Sequence, residues 1–445
     1  MSRVPLPEVP VPRQFPFMAP PKGFRGPRLR STAAVCTTLS ALAATSLITG
    51  ATVAEPFSSV PCALQRTEAH HSEGLDTWNA DYPRPTRALD AVMVFLSFPG
   101  SRPRTTPAQL TADHFPATTR FYERASYGKF TLRPHPLERW IRMPHPATAY
   151  AIRRDWNPEH RAAYLRDALA VADPRVDFSR YDVVYFVADP DAPGVDSDAT
   201  KVVNLDVPLR ADGRDIRRVV TVFEKHPPDR LVLAHETGHV FDLPDLYHRP
   251  VDGKGDWDTY VGDWDLMGSQ FGLSPDLFGW HKWKLGWLEP RQVVCVRESG
   301  TTLLTLEPLD AAPVPPVTGA AAPPAFGLGR GTKLAVLRTG PDSVLAFEAR
   351  EPVGNDTTAC RSGILVYRVR SGAPSGDGPI RVIDAHPHTE ACWENSVYPP
   401  LADAPVALGE TFTVPGSKVR VQVEGRTVTG AWTVKITTGG AGAAV

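Results

Sequence analysis

The chain has 445 residues, 42% of them hydrophobic and 22% charged, enough to bury the cores of two or three domains. Forty-eight Lys and Arg face 49 Asp and Glu, a formal charge of −1, which excludes the basic footprint of a nucleic-acid binder and a polybasic membrane patch. Forty-six prolines argue for many rigid loops and against a helical bundle.

In chain order, residues 1–30 are basic, Pro-rich and without apolar period. Ser31 to Ala54 is uncharged, small or apolar, and ends in Thr52 and Ala54. That is the grammar of a cleavable export signal; a retained anchor is the alternative, since the run is long enough to span. Met18 would give this leader a more usual start. The leader takes Cys36 with it and leaves Cys62, Cys295, Cys360 and Cys392. An even count in an exported chain permits two disulfides. Cys360 and Cys392 share a region and are the favoured pair; Cys62 with Cys295 follows by elimination, and unpaired buried thiols are the alternative.

Residues 55–80 read as a linker. Ala91–Phe98 and Asp182–Val187 are continuous apolar runs closed by turn residues, hence buried strands. Pro158–Val171 between them has helical spacing, so strand, helix and strand give an α/β layer. Arg218–Phe223 is a third strand, and Asp229 is placed to cap the helix after it. Beyond residue 290, short β-branched runs recur: Thr302–Leu306, Lys333–Leu337, Val344–Phe347, Ile364–Val369, Lys418–Val423 and Trp432–Ile436. They predict an all-β sandwich-like module, interrupted by a Pro/Ala/Gly insert at Ala311–Pro324. The expected organisation is leader and signal 1–54, linker 55–80, an α/β (α+β) zincin-type catalytic domain 81–290 and a β-sandwich-like domain 291–445.

The chemistry lies in the helix Arg230–Phe241, which carries His235-Glu-Thr-Gly-His239, an H-E-x-x-H pattern. Residues at i and i+4 share one helix face, so both imidazoles can point at one zinc. Glu236, beside the first ligand, can take a proton from a water on that metal without itself coordinating. The run continues Val-Phe-Asp-Leu-Pro-Asp-Leu-Tyr247, with the spacing of the extended metzincin pattern and Asp245 at the third-ligand position. Where that pattern has the glycine that ends the helix in a positive-φ conformation stands Asp242. Asp tolerates that conformation at about 1 kcal/mol, so the turn is expected to survive. Asp242 and His248 are the other candidates for third ligand. Trp264-Asp-Leu-Met-Gly268 is a candidate Met-turn with Met267 as a structural base, followed by the aromatic, amphipathic Leu277–Trp287.

These motifs together resemble the immune inhibitor A family of secreted bacterial metallopeptidases. The Leu-Pro-Asp-Leu-Tyr tail, the Trp264–Gly268 turn and His281–Trp287 are the most specific parts. Val92–Phe98, Ser126–Lys129, Asp177–Asp182, Phe347–Arg350 and Gly363–Arg368 are similar to that family's flanking strands and turns. The resemblance implies a secreted zinc endopeptidase in which Glu236 activates the zinc-bound water and His235, His239 and Asp245 hold one catalytic zinc. Its substrates are expected to be proteins or peptides, with no nucleic acid, a membrane met only during export, and a monomeric chain.

Weaker candidates remain. Tyr247 or Tyr260 could stabilise an oxyanion, though each is more readily a packed aromatic. His281, among tryptophans, reads as surface or core. Asp189/Asp191/Asp196/Asp198 and Asp252/Asp256/Asp258 carry the oxygen ligands calcium takes, but neither follows an EF-hand loop, and solvated loop charges are the expectation. Two rivals stand beside the peptidase: a silent secreted zinc-binding or adhesion protein, favoured by Asp242, and a zinc hydrolase of non-protein amides.

Overall fold

The computed structural model describes residues 61–229, 231–250, 253–311 and 331–439. The leader, its signal and nearly all of the Ala311–Pro324 insert lie outside them. No helix among the described residues is long and apolar enough to cross a membrane.

The first half builds one layered α/β unit. In chain order it contains β1 (Ala88–Ser97), α1 (Pro107–His114), α2 (Ala117–Ala125), β2 (Thr131–Pro136), β3 (Ile141–Arg142), α3 (Pro158–Ala172), β4 (Val183–Ala188), β5 (Lys201–Ala211), β6 (Arg214–Val222) and α4 (Val232–Val240). The sheet runs β2-β1-β4-β6-β5, with β3 also pairing β1. Every pair is parallel except β5 with β6, so the antiparallel β5 forms an edge. Continuous apolar runs suit the central strands because both faces are covered. Met93, Phe95, Tyr185 and Val222 pack on the side of α4, whereas Val94, Leu96, Phe186 and Val219 pack on the side of α3. Asn157 caps α3, accepting from the amides of Glu159 and His160, with Pro158 at the first helical position.

After α5 (Gly279–Lys284) the chain turns to strands: β7 (Val293–Cys295), β8 (Gly300–Leu306), β9 (Leu334–Arg338), β10 (Ser343–Arg350), β11 (Gly363–Arg370), β12 (Ile380–Ile383), β13 (Thr411–Thr413), β14 (Val419–Arg426) and β15 (Trp432–Thr438). They form a five-stranded sheet, β12-β11-β10-β9-β7, and a four-stranded one, β13-β14-β15-β8. Leu345, Phe347, Ile364 and Val366 of the first meet Leu304, Val421, Val434 and Ile436 of the second, which makes a β-sandwich. The architecture is thus a mixed α/β unit followed by an all-β sandwich. The opposite face of the five-stranded sheet, through Val336, Val344, Ala346 and Leu365, shares a core with Leu233, Phe241, Met267 and Trp280 of the first unit.

Three local expectations need correction. Residues 61–80, expected as linker, are a packed strap: Leu64 and Leu75 are buried, the amide of Leu75 donates to the carbonyl of Leu64, and Cys62 is disulfide-bonded to Cys295. Asp229 does not cap α4, because Leu231 takes the capping position at φ +57 and the Asp229 carbonyl accepts from the Val232 amide. The amphipathic Leu277–Trp287 segment has no exposed face: all six residues of α5 are buried, with Lys282 paired to Asp276 and Lys284 donating to the Asp242 carbonyl at 2.6 Å. The second disulfide joins Cys360 and Cys392, as favoured from the sequence.

Candidate metal centre

The helix that carries the pentad is fixed from three sides. Tyr122 of α2 donates to the Ala234 carbonyl at 2.6 Å, Tyr185 of β4 meets the Thr237 hydroxyl at 2.8 Å, and Met267 lies beneath Gly238. A Cβ at Gly238 would stand 2.4 Å from the Met267 sulfur, so only glycine permits that approach. The amide of Met267 is in turn held by Asp265 at 2.7 Å.

α4 ends in a paired-bond turn: Leu243 donates to the Gly238 carbonyl at 3.1 Å and Asp242 to the His239 carbonyl at 3.2 Å, with Asp242 at φ +65. This is the Schellman arrangement, normally closed by glycine, and it reverses the chain so that Asp245 returns to the helix. The side chains of His235, His239 and Asp245 then converge, their ligand atoms within 4.8 Å of one another and all three residues buried. Asp245 Oδ1 lies 3.4 Å from His235 Nε2 and 3.1 Å from His239 Nε2. Among the described residues this is the group of His, Cys, Asp and Glu so gathered.

Each imidazole is oriented by its other nitrogen. Nδ1 of His235 donates to the Leu266 carbonyl at 2.9 Å, and Nδ1 of His239 to the Leu243 carbonyl at 2.8 Å. A carbonyl only accepts, so in the neutral rings both Nε2 atoms keep a lone pair toward the centre. His235 Nε2 is buried with no hydrogen-bond partner. The donor set of two imidazoles and one carboxylate, with an orphaned buried nitrogen, fits a zinc ion. Burial pushes the Asp245 carboxyl up, but His239 and His235 beside it hold it well below its ordinary range.

Glu236 lies next to this group. Its Oε2 accepts from the Val202 amide of β5 at 2.6 Å, while Oε1 is buried without a partner. Burial raises its pKa, with His235 and His239 opposing.

Asp242 does not join the group; its carboxylate turns to the strap. The ring of His248 packs tilted against Tyr260, 4.8 Å between centroids, and its backbone forms an isolated antiparallel β-bridge with Asp377. Tyr260 lies under Arg381, 4.0 Å from ring to guanidinium. Tyr247 is buried and shares a hydrogen bond with Asp245. His281 is core, between Glu73 at 2.8 Å and Asp265 at 3.0 Å. Cys62, in its disulfide, has no thiol to offer a metal.

Two contributors had no signal in the sequence. Ser375, on the loop after β11, accepts from the Asp245 amide at 2.9 Å and donates to Asp245 Oδ2 at 3.1 Å. That leaves Oδ1 facing the histidines. The strap supplies His71, its ring stacked on His239 at 5.7 Å.

The chain matches no protein-family model and no curated protein. Among solved structures it is similar to OgpA from Akkermansia muciniphila in two crystal forms, at 13% and 10% identity, covering 69% of this chain and 95% and 94% of those, with TM-scores of 0.26 and 0.25. A likeness of that extent carries no argument about this chain's fold or chemistry.

Proposed function

We propose that this chain is an exported zinc-dependent endopeptidase, in keeping with its resemblance to the immune inhibitor A family. The observation that carries the reading is the convergence of His235, His239 and Asp245 beside a buried glutamate with one free oxygen. His235, His239 and Asp245 would hold the ion. Bound there, zinc supplies a Lewis acid that polarises a carbonyl and acidifies a water.

The protein's own part is proton handling and placement. Glu236 keeps Oε2 on the Val202 amide, which fixes the carboxylate plane and leaves Oε1 to take the proton of the attacking water. The same oxygen then returns that proton to the leaving amine. Burial makes Glu236 a stronger base than a surface carboxylate, with the two histidines opposing that shift. A peptide substrate is favoured because β5, the edge strand of the sheet, runs beside Glu236, and a strand edge matches an extended main chain, although the Val202 amide itself is engaged by Glu236. Two disulfides suit an oxidising, extracytoplasmic setting.

The test is cleavage of an unfolded protein by the purified chain, with and without a chelator. Chelator-sensitive cleavage that falls roughly 10³-fold in Glu236→Gln, with zinc retained, is expected. Normal turnover in Glu236→Gln would refute the mechanism, and zinc without cleavage in the unaltered chain would favour a binding protein.

A further inference from the structure

Asp242 stands where the resembled pattern has glycine, yet it takes the glycine conformation, φ +65. Asp accepts that conformation at a modest cost, which local contacts can offset. The structure shows such contacts. Arg66 reaches Asp242 Oδ2 at 2.6 Å, His71 Nδ1 reaches Oδ1 at 3.0 Å, and Lys284 takes the main-chain carbonyl at 2.6 Å. Arg66 and His71 both belong to the strap. It is anchored at Cys62 by the disulfide to Cys295, and farther on by Thr67 and Ser72, whose hydroxyls both donate to the Ser371 carbonyl at 2.8 Å.

The clamp acts one residue from the metal group. Leu243, next to Asp242, uses its amide to close the helix on Gly238 and its carbonyl to accept from His239 Nδ1. A change in the Asp242 backbone therefore moves the carbonyl that aims His239.

We infer that Arg66 and His71 are positioning residues for the metal centre: by clamping Asp242 they hold the positive-φ turn that orients His239, replacing what glycine does unaided. The N-terminal strap is on this account part of the site, and the aspartate is a device for locking it there. The inference rests on the metal reading above.

The experiment is a double-mutant cycle on zinc affinity, measured by chelator competition on the folded chain. Arg66→Ala with His71→Ala is expected to weaken zinc binding roughly 10- to 100-fold, the range for loss of an outer partner of a ligand. In the Asp242→Gly background, where glycine holds the turn alone, the same pair should change affinity by no more than about twofold. Unchanged affinity in the first background, or an equal loss in both, overturns the inference. If Asp242→Gly does not fold, Asp242→Asn serves: it tolerates the turn but drops the charge, so roughly tenfold weaker binding is expected and unchanged binding overturns. Amide exchange in the metal-free chain separates this idea from the metal reading. Arg66→Ala should lower protection of the Leu243 amide whether or not the chain binds zinc, and undiminished protection would refute the clamp.

Discussion

The two ends of α4 both gather acids, fully buried at the C-terminal end and, apart from Glu224, half-buried at the N-terminal end, and treat them oppositely. At the C-terminal end, Asp242 and Asp245 lie among cations and imidazoles: Lys284, His71 and Arg66 around the first, His239 and His235 around the second. Burial alone would push both carboxyls up, and these neighbours hold them well below the ordinary range. At the N-terminal end, Asp198, Glu224 and Asp229 line a cavity of about 280 Å³ with Ser197, Thr200, Val232 and Gln270, and no lysine or arginine among the described residues lines it. There burial prevails and all three are raised, Glu224 to about 7. Glu236, between the two ends, is also raised, but with two histidines opposing. How a carboxylate titrates is thus set by its partners as well as by its depth. The paired end is the one proposed to hold a cation; at the other end the raised carboxyls carry a cost in stability that rises with pH.

The heaviest blow to the paired end is Asp245→Asn, which removes the only negative charge among the three gathered side chains. Zinc affinity should fall at least roughly 100-fold, and chelator competition on the folded variant measures it. Gly238→Ala comes next. Its Cβ would press on the Met267 sulfur from 2.4 Å, and overpacking of this kind costs about 1–3 kcal/mol, read as a lowered denaturant midpoint. Ser375→Ala removes the donor to Asp245 Oδ2 and the acceptor of the Asp245 amide, and should weaken zinc roughly tenfold while costing about 1 kcal/mol of overall stability.

The remaining effect belongs to the other end, and its sign differs. Glu224 titrates near 4.5 when exposed and about 7 in the folded chain. Below pH 4.5 it is protonated in both states and costs nothing. Between 4.5 and 7 the unfolded chain loses the proton first, so stability falls as pH rises, and above 7 the full penalty stands. Glu224→Gln should therefore stabilise the chain by up to roughly 3 kcal/mol at pH 8, the shift from 4.5 to about 7 being its source, and leave it nearly unchanged at pH 4. Stabilisation equal at both pH values would show that the two ends do not differ in the way described.

Much of this was legible in the sequence where signals are local. The buried strands at Ala91–Phe98 and Asp182–Val187, the helix Pro158–Val171 and each of the six short runs after residue 290 appear as elements, with shifted ends. The i, i+4 histidines and Asp245 come together because one helix face and one turn suffice to join them. The strap was illegible because its burial rests on polar contacts across long separations: Glu73 with His281, His71 with Asp242 and Thr67 with Ser371. No hydrophobic period marks such a segment. Ser375 escaped for the same reason, since it lies 130 residues from Asp245 in a different sheet's loop. The exposed face expected for α5 failed because its lysines meet Asp276 and the Asp242 carbonyl in the interior. Asp242, which looked from sequence like a departure that weakens the site, is in the structure among its most heavily held residues.

The most direct test of the central claim is the zinc content of the purified, folded chain after loading and removal of excess metal. One zinc ion per chain, falling to near zero in His239→Ala while the fold persists, is the predicted result. A folded chain that takes up no zinc, or that keeps it when His239 is gone, would contradict the account.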